Sequence, residues 1–473
     1  MNLTRRQFGQ TVCAAAAQFN LANLARSDTA TSATRPNVII IQPDQHRGTI
    51  MRCAGDEQVM TPNLDRLAAE GVRFVNCASS SPVCSPFRGT FQTGLYPHTH
   101  GVDRNNVLLD PTLPTFAEIF SDHGYATGYI GKWHLDGGIP PDQPGGYIEP
   151  GPRRQGWQEW YGYEKGHEYL NVWKYDDNRK KVRVQGYGWE PAWHTDMALD
   201  FVRRHRNMNK PWLYYVAYGP PHLPQQCPER FLKMYDPNAF QLPPDVARRL
   251  PPAKRKELRT ILQCYYAQVT AIDFEVGRLL RGLRELGVDR DTIVLYTSDH
   301  GDKLGSHWSP GLRLRGKAAP FASAFRIPLM VRWPGRIKPG QVHDCLVSSV
   351  DLTPTILDLA GLPVAATMQG DSMAPWCLTG KGKANEAVYL GLHGSLTGDT
   401  ERAWRAVWDG RYIYAPGKFH VLYDHQEDPH EMKNLINLPQ YADVRKRLDA
   451  LLLHLAERTQ DPFLPHLRNI LSS

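Results

Sequence analysis

The stretch Pro36-Asn37-Val38-Ile39-Ile40-Ile41-Gln42-Pro43-Asp44-Gln45-His46 decides how the chain is read. Four β-branched apolar residues stand in a row without alternation, as in a strand covered on both faces, and the run then ends in polar and ionisable groups. The same grammar recurs. Residues 126–130 lead into Gly131-Lys132-Trp133-His134, residues 212–217 into Pro220-Pro221-His222, and residues 292–297 into Ser298-Asp299-His300-Gly301-Asp302. Residues 329–332 read as a further strand. Amphipathic stretches at 64–70, 113–123, 261–283 and 351–360 lie between them. Such alternation predicts an α/β architecture, a large, mainly parallel (mixed) sheet sandwiched by helices. Ligands of such sheets bind beyond the carboxyl ends of the strands, where each of these strands deposits a chemically active side chain.

The composition agrees. The 473 residues are 41% hydrophobic and 22% charged, enough for a packed core, which excludes a disordered or fibrous chain. No apolar run approaches the ~20 residues of a membrane helix, so no transmembrane segment is expected. The 55 Lys+Arg against 48 Asp+Glu leave a net +7 that is scattered along the chain, which does not point to nucleic acid. Eight Cys without a Cys-x-x-Cys pair are neither a disulfide framework nor a zinc ribbon. Near the N-terminus, Arg5-Arg6-Gln7-Phe8 precedes a small-residue stretch and reads as an address for the twin-arginine export machinery. Residues 1–35 are therefore expected to be a signal and linker, and the protein an exported one, periplasmic or secreted from a bacterium. Residues 36–384 are expected to form the main domain. Residues 385–473, with short strands at 387–390, 403–408 and 412–414 and a helix at 441–457, read as a smaller α+β subdomain with an antiparallel sheet. Residues 136–193 break the rhythm, being rich in Gly, Pro and aromatics. Five of the chain's twelve Trp lie at 157, 160, 173, 189 and 193. Most are expected to pack the irregular segment onto the sheet, but aromatic faces also suit stacking on sugar rings.

Asp44, Gln45, Asp299 and His300 form an oxygen-rich set with one imidazole, the preference of a hard divalent cation: calcium or magnesium, with manganese possible because of His300. Each Asp taken alone serves equally well as a turn or helix cap. The segment Ser81-Pro82-Val83-Cys84-Ser85-Pro86-Phe87-Arg88-Gly89-Thr90 is the most unusual in the chain. Pro86 suits the first turn of a helix, which puts Cys84 at or just before an N-terminus that favours an anion. Arg88, one turn on, points its fork at the same place. Only three residues separate Cys84 from Arg88, which excludes a Cys-x5-Arg phosphatase loop. The polar surroundings argue against Cys84 as a buried hydrophobe.

Cys84-Ser85-Pro86-Phe87-Arg88 resembles the Cys-x-Pro-x-Arg signature of type I sulfatases, members of the alkaline-phosphatase-like superfamily whose cysteine is oxidised to formylglycine. The resemblance continues through 36–45, Thr61-Pro62-Asn63, Gly94-Leu95-Tyr96-Pro97-His98, Gly131-Lys132-Trp133-His134, Ser298-Asp299-His300-Gly301, Asp351-Leu352-Thr353-Pro354 and Leu422-Tyr423-Asp424, covering residues 36–430. It implies the alkaline-phosphatase-like fold, with 36–384 as the catalytic domain, and a sulfuric ester hydrolase. A formylglycine-generating maturation enzyme would convert Cys84, whose hydrated aldehyde is the nucleophile. Asp44, Gln45, Asp299 and His300 would hold the cation. Arg88 and Lys132 would position formylglycine and sulfate, His134 would be the base that breaks the sulfo-enzyme intermediate, and His222 and Lys317 would face the leaving-group oxygen. Many members carry Asp at the place of Gln45 and Asn at that of His300, so the metal's identity stays open, with Ca2+ preferred and Mg2+ or Mn2+ as alternatives. With the aromatic segment, a sulfated saccharide is the expected substrate. Two other readings share these residues: a phosphonate monoester or phosphodiester hydrolase of the same superfamily, and a silent glycan-binding homologue in which Cys84 is never oxidised. Gly311 to Lys317 fits the start of a P-loop but lacks its closing Ser/Thr, so nucleotide binding is not expected. Apart from Cys84 and the signal's Cys13, six cysteines remain, compatible with up to three disulfides and requiring none.

Overall fold

Val38 and Ile40 enter one hydrophobic core and Ile39 and Ile41 another, all four without solvent exposure. Their strand, β1 (Asn37–Asp44), is thus covered on both faces, and each such side chain contributes about 1.5–3 kcal/mol by leaving water. The computed structural model describes residues 35–137, 147–164, 166–176, 178–392 and 403–472. The expected twin-arginine segment lies outside these residues. Residues 36–473 form one compact unit.

The remaining strands, in chain order, are β2 (Val72–Ala78), β3 (Ala126–Lys132), β4 (Glu159–Tyr163), β5 (Trp173–Tyr175), β6 (Lys181–Arg183), β7 (Trp212–Pro221), β8 (Thr292–Thr297), β9 (Leu329–Arg332), β10 (Gln341–Ser348), β11 (Val388–Leu392), β12 (Trp404–Trp408), β13 (Tyr412–Ala415) and β14 (Val421–Asp424). Eight of them form the main sheet in the order β10-β2-β9-β8-β1-β7-β3-β4. Only β9 runs antiparallel to its neighbours there. Helices Pro62–Ala69, Glu190–His205 and Pro252–Glu285 cover the face of Ile39 and Ile41. Helices Cys84–Thr93, Phe116–Asp122 and Leu352–Leu359 cover the other. The parallel sheet with helices on both sides is the architecture expected from the sequence.

The sequence reading missed β2, β4 and β10. Arg73, Asn76, His343 and Asp344 interrupt β2 and β10, which sit at one end of the sheet and are only partly buried. β4 hides inside the aromatic segment and closes the opposite edge.

The second sheet is antiparallel, ordered β11-β12-β13-β14. Helix Ala442–Arg458 covers one of its faces through Leu448, Leu452 and Leu455, and a further helix, Leu464–Ser472, follows. The other face packs Trp404 and Trp408 against Ala319, Phe321 and Phe325, on the loop that carries Lys317. The Trp404 indole donates to the Ala318 carbonyl (3.3 Å), and Glu431 accepts from the Ala322 N–H (3.0 Å) and from His307 (2.7 Å). No helix among the described residues is long and apolar enough to cross a membrane. The seven described cysteines form no disulfide.

Candidate active site

Helix Cys84–Thr93 begins at Cys84, with Val83 extended before it and Pro86 in its first turn, and every residue of it is buried. The expected helix start is therefore observed. One expectation is corrected: Cys84 is only 1% exposed. Its neighbours are ionisable groups, not a hydrophobic core, which explains how a Ser- and Pro-rich segment comes to be buried.

β1 and β3 deliver their last residues, Asp44 and Lys132, toward Cys84, and the turn after β8 delivers Asp299 and His300. Close approach of β3 to β7 depends on Gly131, whose φ is +103° and where a Cβ would lie 1.9 Å from the Ala217 carbonyl oxygen. The Lys132 ammonium lies 2.6 Å from Asp44 Oδ2. Arg88 Nη2 lies 3.2 Å from Oδ2 of both Asp44 and Asp299. Lys317 Nζ stands 2.7 Å from Cys84 Sγ and 2.9 Å from His300 Nε2, which is itself 3.2 Å from the sulfur. Ligand atoms of Asp44, Cys84, Asp299 and His300 all lie within 4.8 Å of one another.

Burial opposes ionisation of Asp44, but the charges of Lys132, Lys317 and Arg88 outweigh it and hold the carboxyl well below the usual range. Burial and Asp44 push the Cys84 thiol up, yet Lys132, Lys317 and His300 bring it well below that of a free cysteine. Asp299, by contrast, is raised by burial and by the charge of Asp44. Two buried carboxylates in mutual repulsion fit a divalent cation, which ionises both. His300 fits too: its Nδ1–H donates to the Gly301 carbonyl (2.9 Å), so the Nε2 lone pair turns to the cluster. Gln45 takes a left-handed backbone (φ 67°) and donates its backbone N–H to Asp299 (2.9 Å). Its side-chain amide donates to Asp302 (2.7 Å), which also accepts from Arg315 Nε (2.6 Å). That leaves the Gln45 side-chain carbonyl as its acceptor. The Gly311–Lys317 segment, framed by neither strand nor helix, serves instead to hold Asp302 through the Gly316 N–H (2.9 Å) and to present Lys317.

His134 (φ 61°) donates from Nε2 to Asn106 Oδ1 (2.9 Å), leaving Nδ1, buried and without a hydrogen-bond partner, as the basic nitrogen. Burial and the Lys132 charge lower its pKa, so it is a neutral base. His222 is half-buried and donates from Nδ1 to the Leu223 carbonyl (2.8 Å). Burial pushes it down to about 4. The structure thus brings together Asp44, Gln45, Cys84, Arg88, Lys132, His134, Asp299, His300 and Lys317, with His222 at the margin.

Two further residues went unnoticed in the sequence. Asn106 orients His134 from a loop whose Asn105 also accepts the Ser85 N–H (3.0 Å). His167, from the aromatic segment, stacks on His222 with ring centroids 4.5 Å apart. Burial, with the charge of Lys132, lowers its pKa to about 2. No spacing pattern marks either residue; the one available signal was that His167 is the sole histidine of residues 136–193 outside the helix that starts at Glu190.

A family model described as Sulfatase matches residues 36–362, and one described as N-sulphoglucosamine sulphohydrolase, C-terminal, matches 315–458. The chain is 32% identical to the "Ulvan-active sulfatase" of Formosa agariphila over 89% of this chain and 80% of that one. It is 28% identical to an "Endo-4-O-sulfatase" of Bacteroides thetaiotaomicron over 92% of this chain and 94% of that one. Among solved structures it is similar to one named for the sulfatase yidJ of Bacteroides fragilis, with a TM-score of 0.83 and 28% identity over 94% of this chain and 99% of that one.

Proposed function

The chain belongs to the sulfatase family, and from that premise we propose that it hydrolyses a sulfate ester of a carbohydrate with position 84 as the nucleophile. The convergence of Lys317, His300, Asp44 and Asp299 on the Cys84 sulfur carries this reading. Lys317 would meet the singly charged sulfate ester directly, and the two carboxyl groups with His300 would do so through the cation they hold. Relatives named for ulvan and for endo-4-O-sulfatase activity support a glycan substrate.

Oxidised to formylglycine and hydrated, position 84 supplies two hydroxyls, one to attack sulfur and one whose deprotonation later releases sulfate. A divalent cation, calcium in our reading, would be held by Asp44, Asp299, His300 and the Gln45 carbonyl and would supply positive charge to the sulfate oxygens. The chain's own groups do the rest. Arg88 and Lys132 hold Asp44 ionised and fix its direction. Lys317 and Lys132 meet the sulfate charge. His134 removes a proton at Nδ1 while Asn106 fixes its tautomer. His222 is held neutral with its Nδ1–H committed to Leu223, so the Nζ–H groups of Lys317 are the donors toward the leaving oxygen. Export by the twin-arginine route, read from Arg5-Arg6, completes the proposal.

The test is mass spectrometry of the Cys84 peptide from protein made with a maturation enzyme, together with turnover of sulfate and phosphate esters of one leaving group. An aldehyde at position 84 and a preference for sulfate are expected. An unmodified thiol sinks the enzyme reading, and a preference for phosphate or phosphonate esters sinks the sulfatase assignment. Because His134 must be neutral and its pKa lies below that of a free histidine, kcat is expected to keep its plateau below pH ~6.5 and to fall only at more acid pH. Asn106→Ala frees the imidazole to rotate and to change tautomer, and is expected to lower kcat roughly 10- to 100-fold with KM little changed. A KM effect instead would assign Asn106 to substrate binding.

A further inference from the structure

Next to this site, at the carboxyl ends of β3 and β4, lies a narrow cleft that the chemistry above leaves unused. Tyr163, the last residue of β4, pairs in parallel register with Lys132 of β3, and the Trp133 N–H donates to its carbonyl (2.8 Å). The cleft base is therefore one strand spacing, about 5 Å, from the strand that presents Lys132 to Asp44.

Aromatic rings form the walls: Tyr147, Trp160, Trp173 and Tyr175. Of the five Trp in the segment, Trp157, Trp189 and Trp193 are buried in the cores, whereas Trp173 is 37% exposed. It is held in place all the same, on the β5–β6 hairpin, with its indole N–H donating to Glu168 (2.8 Å). An exposed but tethered indole lining a cleft with three other aromatic rings offers a stacking surface. At the base, the Tyr163 hydroxyl and the Glu190 carboxyl lie side by side, and Glu190 is 7% exposed with no standard hydrogen bond at Oε2. Burial pushes Glu190 up to about 8, so it is a hydrogen-bond donor at neutral pH, suited to a hydroxyl. Besides Glu168, which accepts from Trp173, the charged groups at the opening are cations. Lys174 and Lys181 line it, Lys181 Nζ lying 5.4 Å from the Trp173 ring, and Arg154 lies 5.5 Å from that of Trp160. The charge selects an anionic ligand, the rings a flat apolar face with hydroxyls at its edge.

We propose that this cleft is a second saccharide subsite, holding a neighbouring anionic sugar of the glycan whose sulfate ester occupies the Cys84 site. The proposal rests on the glycan-sulfatase reading above. The experiment measures kcat/KM of matured wild type and Trp173→Ala on 4-nitrocatechol sulfate and on sulfated mono- and tetrasaccharides of ulvan, chondroitin sulfate and heparan sulfate. For its best glycan, the wild type is expected to favour the tetrasaccharide over the monosaccharide by roughly tenfold or more. Trp173→Ala is expected to remove most of that advantage through KM, with kcat and aryl sulfate turnover unchanged, which also reports an intact fold. The Lys174→Ala/Lys181→Ala pair is expected to weaken the tetrasaccharide alone, and less so at about 0.5 M salt. A wild type without chain-length advantage, or an advantage that survives in Trp173→Ala, overturns the subsite while leaving the sulfatase reading intact. A wild type inactive on every sulfate ester overturns that reading and takes the subsite with it.

Discussion

Cys84→Ala is expected to abolish sulfate-ester hydrolysis, a loss on the order of 10⁴-fold or more, with a fold indistinguishable from the wild type. The sulfur touches Lys317 (2.7 Å) and His300 (3.2 Å) but anchors no apolar neighbour, and the helix that starts at position 84 is held by Phe87 and Phe91 in the core. Removing one buried thiol costs about 1 kcal/mol and leaves the cluster of Asp44, Asp299, His300 and Lys317 in place. The check is single-turnover kinetics beside a thermal melt. A variant within tenfold of wild-type kcat would show that position 84 is not the nucleophile. A variant that fails to fold would assign Cys84 a structural role.

Asp44→Asn is expected to cost both activity and stability. Asp44 is the common partner of two buried cations, Lys132 at 2.6 Å and Arg88 at 3.2 Å, and the amide leaves Lys132 without its carboxylate and Arg88 with Asp299 alone. Breaking such a pair costs about 3–5 kcal/mol. Asp299→Asn is expected to cost less, because burial and the charge of Asp44 already press Asp299 toward its neutral form. The same variants test the cation through a readout other than turnover. A chelator should lower the melting temperature of the wild type and calcium should restore it, since a ligand of the native state alone stabilises it. Asp44→Asn should respond to neither. A wild type indifferent to chelator and calcium would contradict the assignment of Asp44, Gln45, Asp299 and His300 as a metal cage.

Much of this was legible before any coordinates. Residues 38–41 announce a doubly covered strand because burial on both faces demands apolar side chains at every position, and β1 is such a strand. Pro86 announces a helix start, and the helix starts at Cys84. What stayed hidden depends on contacts distant in sequence. β2 and β10 carry Arg73, Asn76, His343 and Asp344, so a strand at the partly solvated end of a sheet does not look like one. Asn106 is one of many loop asparagines until it is seen under His134. The side-chain direction of Gln45 is fixed by Asp302 and Arg315, more than 250 residues away, and no local pattern reports it. Cys84 was misjudged for a related reason: composition reports polarity, whereas burial among charges requires knowing that three strand ends meet there.

The loop bearing Lys317 is clamped by Trp404 of the antiparallel sheet and by Glu431, while Cys84 and the carboxylates come from the parallel sheet and its helices. In the proposed reaction, the group that faces the leaving oxygen and the group that attacks sulfur are therefore held by different parts of the chain. A substitution in β12 or at Glu431 would therefore reach the Lys317 loop directly, and Asp44, Asp299 and position 84 only through it.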